Sequence, residues 1–204
     1  IWSNLRWVRI FKMSATVYIE TYGCQMNTYD SELVKSILTD AHFKIIDNCE
    51  NAQIALLNTC SVRENANNRV LNRIHELKRQ SNHDLTIGIL GCMATNFKTD
   101  LLENNRLKID LIAGPDSYKT LPALLADSIE SKTNDKPYDV TLSEFETYEN
   151  IPPSRQEGSN AWVAIMRGCN NFCTFCVVPY TRGRERSRSM QSVVDEVNRL
   201  LMRG

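Results

Sequence analysis

Cys169, Cys173 and Cys176 stand in the run Arg-Gly-Cys-Asn-Asn-Phe-Cys-Thr-Phe-Cys, a C-x3-C-x2-C spacing with no later cysteine. A cubane iron–sulfur cluster has four irons and is ordinarily held by four thiolates. Three thiolates on one short loop would hold three irons and leave the fourth open to a substrate or cofactor. Such a loop suits a reaction centre better than an electron store. A structural zinc site needs four ligands, in paired knuckles or with His, and no His lies close in sequence. A ferredoxin loop has tighter repeats and a Pro after its last cysteine, whereas Val177 follows here.

The elements upstream point to a second cysteine site. Thr16 to Tyr22 is rich in β-branched and aromatic residues and runs into Gly23-Cys24, which predicts a strand. Asn27 or Thr28 can then cap a helix carrying Leu33, Val34, Ile37 and Leu38. A second strand, Ile54 to Asn58, ends at Thr59-Cys60, and Ser61-Val62-Arg63-Glu64 matches a capping box. The helix behind it places Val70, Leu71, Ile74 and Leu77 on one face. A third strand, Thr86 to Leu90, ends at Gly91-Cys92; Ile109 to Ala113 is a fourth, and Leu121 to Ile129 a further helix.

Alternating strands and helices predict an α/β fold, a doubly wound parallel sheet covered on both faces. Ligands of such sheets bind outside the carboxyl ends of the strands. Cys24, Cys60 and Cys92 each fall at the end of a separate predicted strand, so the topology brings them to one edge. A three-thiolate site is the expectation. The competing reading, a small buried hydrophobe at each position, suits a single cysteine better than three at matching places. Cys49, in the polar turn Asp47-Asn48-Cys49-Glu50, does not fit the pattern and reads as incidental.

The 204 residues divide into an odd basic and aromatic start over 1–13, a domain over 14–130, an acidic linker over 131–160 and a last segment over 161–204. The start reads as a non-native extension or a presequence remnant. The linker gathers Asp135, Asp139, Glu144, Glu146, Glu149 and Glu157 with Pro137, Pro152 and Pro153. A strand over Ala161 to Met166 leads into the cysteine loop, and Gln191 to Met202 forms a helix with Val193, Val194, Val197, Leu200 and Leu201 on one face. The 24 basic and 24 acidic residues cancel, so no global field holds a polyanion, although a local basic patch remains open. No apolar run is long enough to cross a bilayer. Seven cysteines in a charged chain favour metal ligation in a reducing compartment, cytoplasmic or, given the start, organellar. His42, His75 and His83 read as surface residues.

The loop spacing, with the aromatic Phe175 before its last cysteine, resembles the signature of the radical S-adenosylmethionine enzymes. More broadly the chain resembles the methylthiotransferases, in their MiaB-like branch. The resemblance rests on Tyr22-Gly23-Cys24-Gln25-Met26-Asn27, Asn58-Thr59-Cys60-Ser61-Val62-Arg63, Gly91-Cys92-Met93-Ala94 and the run from Arg167 through Glu185. It implies a methylthiotransferase domain of flavodoxin-like type followed by the truncated start of a partial (β/α) barrel, a fragment inactive alone. It implies two 4Fe–4S clusters, one on Cys169, Cys173 and Cys176 and an auxiliary one on Cys24, Cys60 and Cys92. One S-adenosylmethionine would methylate a sulfur on the auxiliary cluster, and another would yield a radical that activates the C2–H of N6-isopentenyl-adenosine in tRNA.

The implied partners are that tRNA and an electron donor of flavodoxin or ferredoxin type, with the full-length protein a monomer. Gln25-Met26 and Val178-Pro179-Tyr180-Thr181 favour this branch over those acting on ribosomal protein or threonylcarbamoyl-adenosine tRNA. An iron–sulfur or sulfur carrier without catalysis is the alternative from another class. Phe175, Arg182 and Arg184 are the expected cofactor contacts. The four arginines of Thr181 to Arg188 could hold RNA backbone, the cofactor's carboxylate or the edge of the other cluster, and Arg186 and Arg188 are left open.

Overall fold

The computed structural model describes residues 15–61, 64–81, 84–130, 136–155 and 160–202. The expected extension over 1–13 lies outside them, as do Val62 and Arg63 of the capping box, His83, and the ends of the expected linker. The first elements are β1 (Thr16–Thr21), α1 (Gln25–Asp40), β2 (Lys44–Ile46), β3 (Ile54–Thr59), α2 (Glu64–Gln80) and β4 (Thr86–Gly91). There follow α3 (Cys92–Asn96), α4 (Lys98–Glu103), β5 (Leu111–Ala113), α5 (Leu121–Glu130) and β6 (Tyr138–Asp139). The chain continues through β7 (Met166–Arg167), α6 (Val178–Thr181), β8 (Arg186–Ser187) and α7 (Met190–Leu201).

Six parallel strands form one sheet in the order β2-β1-β3-β4-β5-β6. The α/β class expected from the alternation is therefore the one observed. Successive side chains of a strand point to opposite faces, and β3 shows the consequence. Ile54 and Leu56 enter a core with Val34 and Leu38 of α1 and Leu125 of α5. Ala55 and Leu57 enter another with Val70, Ile74 and Leu77 of α2 and Leu101 of α4. A strand buried on both faces reads as a near-continuous apolar run; all six residues of β3 are buried, and its polar end, Asn58 and Thr59, donates hydrogen bonds to Asn27 O, Ser31 Oγ and Leu90 O.

Three details differ from expectation. Helix α1 starts at Gln25, with Cys24 as its N-cap, instead of after Asn27 or Thr28. The Asn27 amide side chain donates to Tyr22 O at 2.8 Å and so holds the preceding turn instead of capping the helix. The strand expected over Ile109 to Ala113 begins at Leu111, because the Asp110 carboxylate accepts from Ile87 N at 2.7 Å and from Lys78 Nζ at 3.1 Å. The edge strands β2 and β6, of three and two residues, were not expected at all, being too short to show a period.

Within the stretch read as a linker, residues 136–155 lie against the sheet. β6 pairs with β5, and Lys136 Nζ donates to Leu101 O and Leu102 O at 3.1 and 2.9 Å. Tyr148 is buried, accepting from Tyr118 N at 3.0 Å and donating to Pro115 O at 3.2 Å. Further on, the chain returns over α1, where Ser36 donates to Pro152 O at 2.6 Å and Ser154 N to Glu32 O at 3.0 Å.

The strand expected over 161–166 is confined to β7, which pairs antiparallel with β8. The expected last helix is present as α7, capped by Ser189, whose hydroxyl accepts from Ser192 N. Its apolar Val194, Val197 and Leu201 are exposed. His42 and His75 are exposed, as expected. No helix among the described residues is long and apolar enough to cross a membrane.

A candidate two-loop cysteine site

The strand order changes direction between β1 and β3, and their carboxyl ends flank the crevice where doubly wound sheets bind ligands. Cys24 follows β1 and Cys60 follows β3 at this crevice, while Cys92 follows β4 next to it and opens α3. Cys24 is exposed, and Cys60 and Cys92 are buried.

Close backbone approach lets the first two cysteines meet. Gly23 has φ +121°, a conformation L side chains rarely adopt, and a Cβ there would run into the Cβ of Cys60 and lie 3.4 Å from its sulfur. Replacing Gly23 by Ala should therefore cost about 1–3 kcal/mol, read as a lower denaturant midpoint. An unchanged midpoint would show that the Gly23 turn carries no constraint. Hydrogen bonding with the Cys60 thiol is the main reason the Cys24 thiol is held down to about 5, helped by the Asn27 and Met26 amides and the Arg182 charge against the cost of burial. This shift favours the thiolate of Cys24, the form that ligates metal.

The third cysteine is joined to this pair through a residue of the other loop. Arg182 Nε donates to Cys92 Sγ at 3.2 Å, and Arg182 Nη2 donates to Asn27 Oδ1 at 3.0 Å. Asn27 Oδ1 also lies 3.7 Å from Cys24 Sγ, within reach of the thiol. Arg182, expected as a cofactor contact near its own cysteine loop, is buried instead at the edge of the early trio. Among the alternatives weighed for the arginines, this is the edge of the other site.

Beneath it lies a charged network that sequence reasoning did not find. Asp30 of α1 is fully buried and accepts from Arg167 Nη1 and Arg182 Nη2, each at 2.8 Å, and from Tyr118 Oη at 3.3 Å. Burial pushes its carboxyl up, but the two guanidinia prevail and hold it below the usual carboxylate range. Arg167 also donates to Pro115 O at 3.0 Å. Arg186 makes a bidentate pair with Asp116 at 2.8 and 3.0 Å, and Arg188 pairs with Glu196 at 2.5 Å and reaches Tyr29 Oη at 3.2 Å. Three of the four arginines are therefore buried clamps, and Arg184 alone is exposed, its guanidinium 5.1 Å from the Phe172 ring centre.

A signal for Asp30 was present. Asn27, Asp30, Ser31 and Val34 fall at i, i+3, i+4 and i+7, so the inner face of α1 begins polar before it becomes apolar. Arg167, Asp116 and Tyr118 carried no comparable sequence signal.

The loop of Cys169, Cys173 and Cys176 is anchored at both ends. Arg167 stands just before it, Arg182 just after it, and Cys169 N donates to Gly183 O at 3.1 Å. Gly168 and Gly183, both with φ +72°, allow the loop's stem to close. Cys176 N donates to Cys173 O at 2.9 Å; Cys173 is exposed and the other two half-buried. Phe175 is 92% exposed, at the outer tip.

Among the described residues, no three His, Cys, Asp or Glu side chains are gathered closely enough to hold a metal ion. A cubane differs from zinc in taking each thiolate on a separate iron, so its ligands need not crowd one point. Around the early trio, a soft donor set, a glycine-lined approach and a buried Arg182 Nη1 with no hydrogen-bond partner in the protein fit such a group.

A six-stranded parallel sheet with three cysteines at its carboxyl edge, a second cysteine loop docked on that edge, is the frame in which relatives can be weighed. Residues 16–114 match the profile of the uncharacterized protein family UPF0004. Over 188 residues the chain is 52% identical to a protein of Chloroherpeton thalassium named tRNA-2-methylthio-N(6)-dimethylallyladenosine synthase, covering 91% of this chain and 41% of that one. Proteins of the same name from Bacteroides fragilis and Porphyromonas gingivalis are 48% and 47% identical, covering 92% and 93% of this chain and 41% of each relative. The chain is similar to these tRNA-2-methylthio-N(6)-dimethylallyladenosine synthases over more than nine tenths of its own length, and it spans about 41% of the length of the curated relatives it matches.

Proposed function

We propose that this chain serves a radical S-adenosylmethionine methylthiotransferase acting on C2 of N6-isopentenyl-adenosine in tRNA. The observation that carries the reading is the meeting of two cysteine trios' surroundings at one sheet edge, through Arg182 and Asp30. The relatives' shared name supplies the substrate. On this reading residues 14–130 are the methylthiotransferase domain, 131–160 connect, and 161–204 open the radical domain. The partners are the tRNA and an electron donor of flavodoxin or ferredoxin type, and the site of action is the cytoplasm.

Cys24, Cys60 and Cys92 would hold one 4Fe–4S cluster, and Cys169, Cys173 and Cys176 the other. When bound, these clusters and S-adenosylmethionine supply one-electron chemistry and a methylated sulfur, which an adenine C2–H needs because it is neither acidic nor electrophilic enough for side-chain acid–base catalysis. The protein's own contribution is placement. Burial of Cys60 and Cys92 limits water at the sheet edge. The Arg167–Asp30–Arg182 bridge fixes the stem of the second loop relative to α1, whose N-cap is Cys24. Phe175 and Arg184 face outward on that loop and are the candidate contacts for S-adenosylmethionine.

The test is mass spectrometry of tRNA nucleosides from a strain lacking the gene. The 2-methylthio derivative of isopentenyl-adenosine should vanish and the unmodified nucleoside accumulate. Persistence of the derivative would remove the reading; loss of a methylthio mark from ribosomal protein or threonylcarbamoyl-adenosine instead would transfer it to another branch.

A further inference from the structure

Arg182 is the one residue of the second cysteine loop's stem that donates to a sulfur of the first trio, and its guanidinium is unequally used. Nε is committed to Cys92 Sγ, and Nη2 to Asp30 and Asn27. Nη1 is buried and has no acceptor in the protein. A buried donor without a partner is costly, and more so on a charged group. Buried nitrogens without a hydrogen-bond partner also occur at Arg167 Nε and Arg186 Nε, so the distinguishing feature is the sulfur: Arg186 and Arg188 use carboxylates, carbonyls and hydroxyls, and neither donates to a cysteine.

We propose that Arg182 tunes and positions the group held by Cys24, Cys60 and Cys92, donating through Nε to the Cys92 thiolate and through Nη1 to an inorganic sulfide of that cluster. The proposal rests on the reading of those cysteines as a cluster site. Hydrogen bonds to cluster sulfurs and nearby net charge set the reduction potential. Reduction adds an electron, and a buried cation beside the sulfur favours the more negative state. Arg182 should therefore raise the potential of the early-trio cluster. Because the residue sits in the stem of the other loop, docking of that loop and the redox poise of the first site become one event. A displaced loop would leave the first cluster harder to reduce.

The experiment uses the full chain, reconstituted anaerobically with iron and sulfide, with Cys169, Cys173 and Cys176 replaced by Ala so that only the early-trio cluster remains. Potential is read by mediated dithionite titration followed by electron paramagnetic resonance. R182Q should make reduction at least tenfold less favourable, a fall of about 59 mV for a one-electron couple, and alter the signal's g-values. R182K keeps the charge without the fork and should fall by less. R186Q removes a clamp of the same stem, including its bond to Arg182 O, without donating to a cysteine, so the potential should fall by less than in R182Q. If R182Q does not fold, R182K against R186K carries the comparison, with the larger fall expected in the first.

An unmoved potential in both Arg182 variants, or an equal fall in the Arg186 variant, would overturn the proposal. Failure of the parent with only the early trio intact to hold any cluster would instead remove the reading beneath it, and the two failures are told apart by its iron content.

Discussion

Replacing any one of Cys24, Cys60 and Cys92 by Ala should lower the iron of the reconstituted chain from about eight atoms toward about four, because each cubane is lost as a unit. The same substitution at Cys169, Cys173 or Cys176 should remove the other four. The geometry makes the first result demanding. The three early cysteines come from three different strand ends, so each has its own fold-derived position and no neighbour can replace it. Cys49 lies in a turn ahead of β3, at the opposite end of that strand from Cys60, and cannot substitute. On the proposed reading, in the full-length protein, variants of the early trio should abolish the methylthio product while leaving cleavage of S-adenosylmethionine at the second loop. Variants of the second loop should abolish both. Iron unchanged after substitution in the early trio would mean that the sheet-edge cysteines are packing residues, and the methylthiotransferase reading would fail with them.

How far the sequence could be read follows from where the physics is local. The central strands announce themselves because the apolar stretches over residues 54–57 of β3 and 87–90 of β4 are buried on both faces, and the cysteines that end the strands inherit a position from the topology. The two-residue β6 has no period to detect, and its stretch is held by Tyr148 and a few polar contacts in place of an apolar face, so composition alone described a linker. Arg182 was legible as a residue with a role and illegible as to which cysteines it served. A spacing of 90 residues separates it from Cys92, and such a contact depends on how two segments dock. The Asp30 network was missed for the same reason. Its acid and its bases lie 137 and 152 residues apart.

That network sets the second large expectation. Asp30→Ala should destabilise the chain by about 3–5 kcal/mol, the cost of removing one partner from a buried ion pair. Two guanidinia, Arg167 and Arg182, then face each other's charge without the carboxylate between them, and Tyr118 Oη loses its acceptor. Asp30→Asn should recover little, since an amide offers one acceptor oxygen and turns its own N–H donors toward an arginine. The pH dependence gives an internal check. The folded carboxyl is held below its unfolded value of about 3.9, so its stabilisation is present above that pH and is lost as pH falls through the folded value. Wild type and Asp30→Asn should therefore differ most at neutral pH, and the gap should narrow as acid protonates Asp30. Denaturant unfolding across that range measures it directly. A gap that stays constant into acid would mean that Asp30 acts by shape alone, and the charged bridge between the two cysteine loops would then have no energetic role.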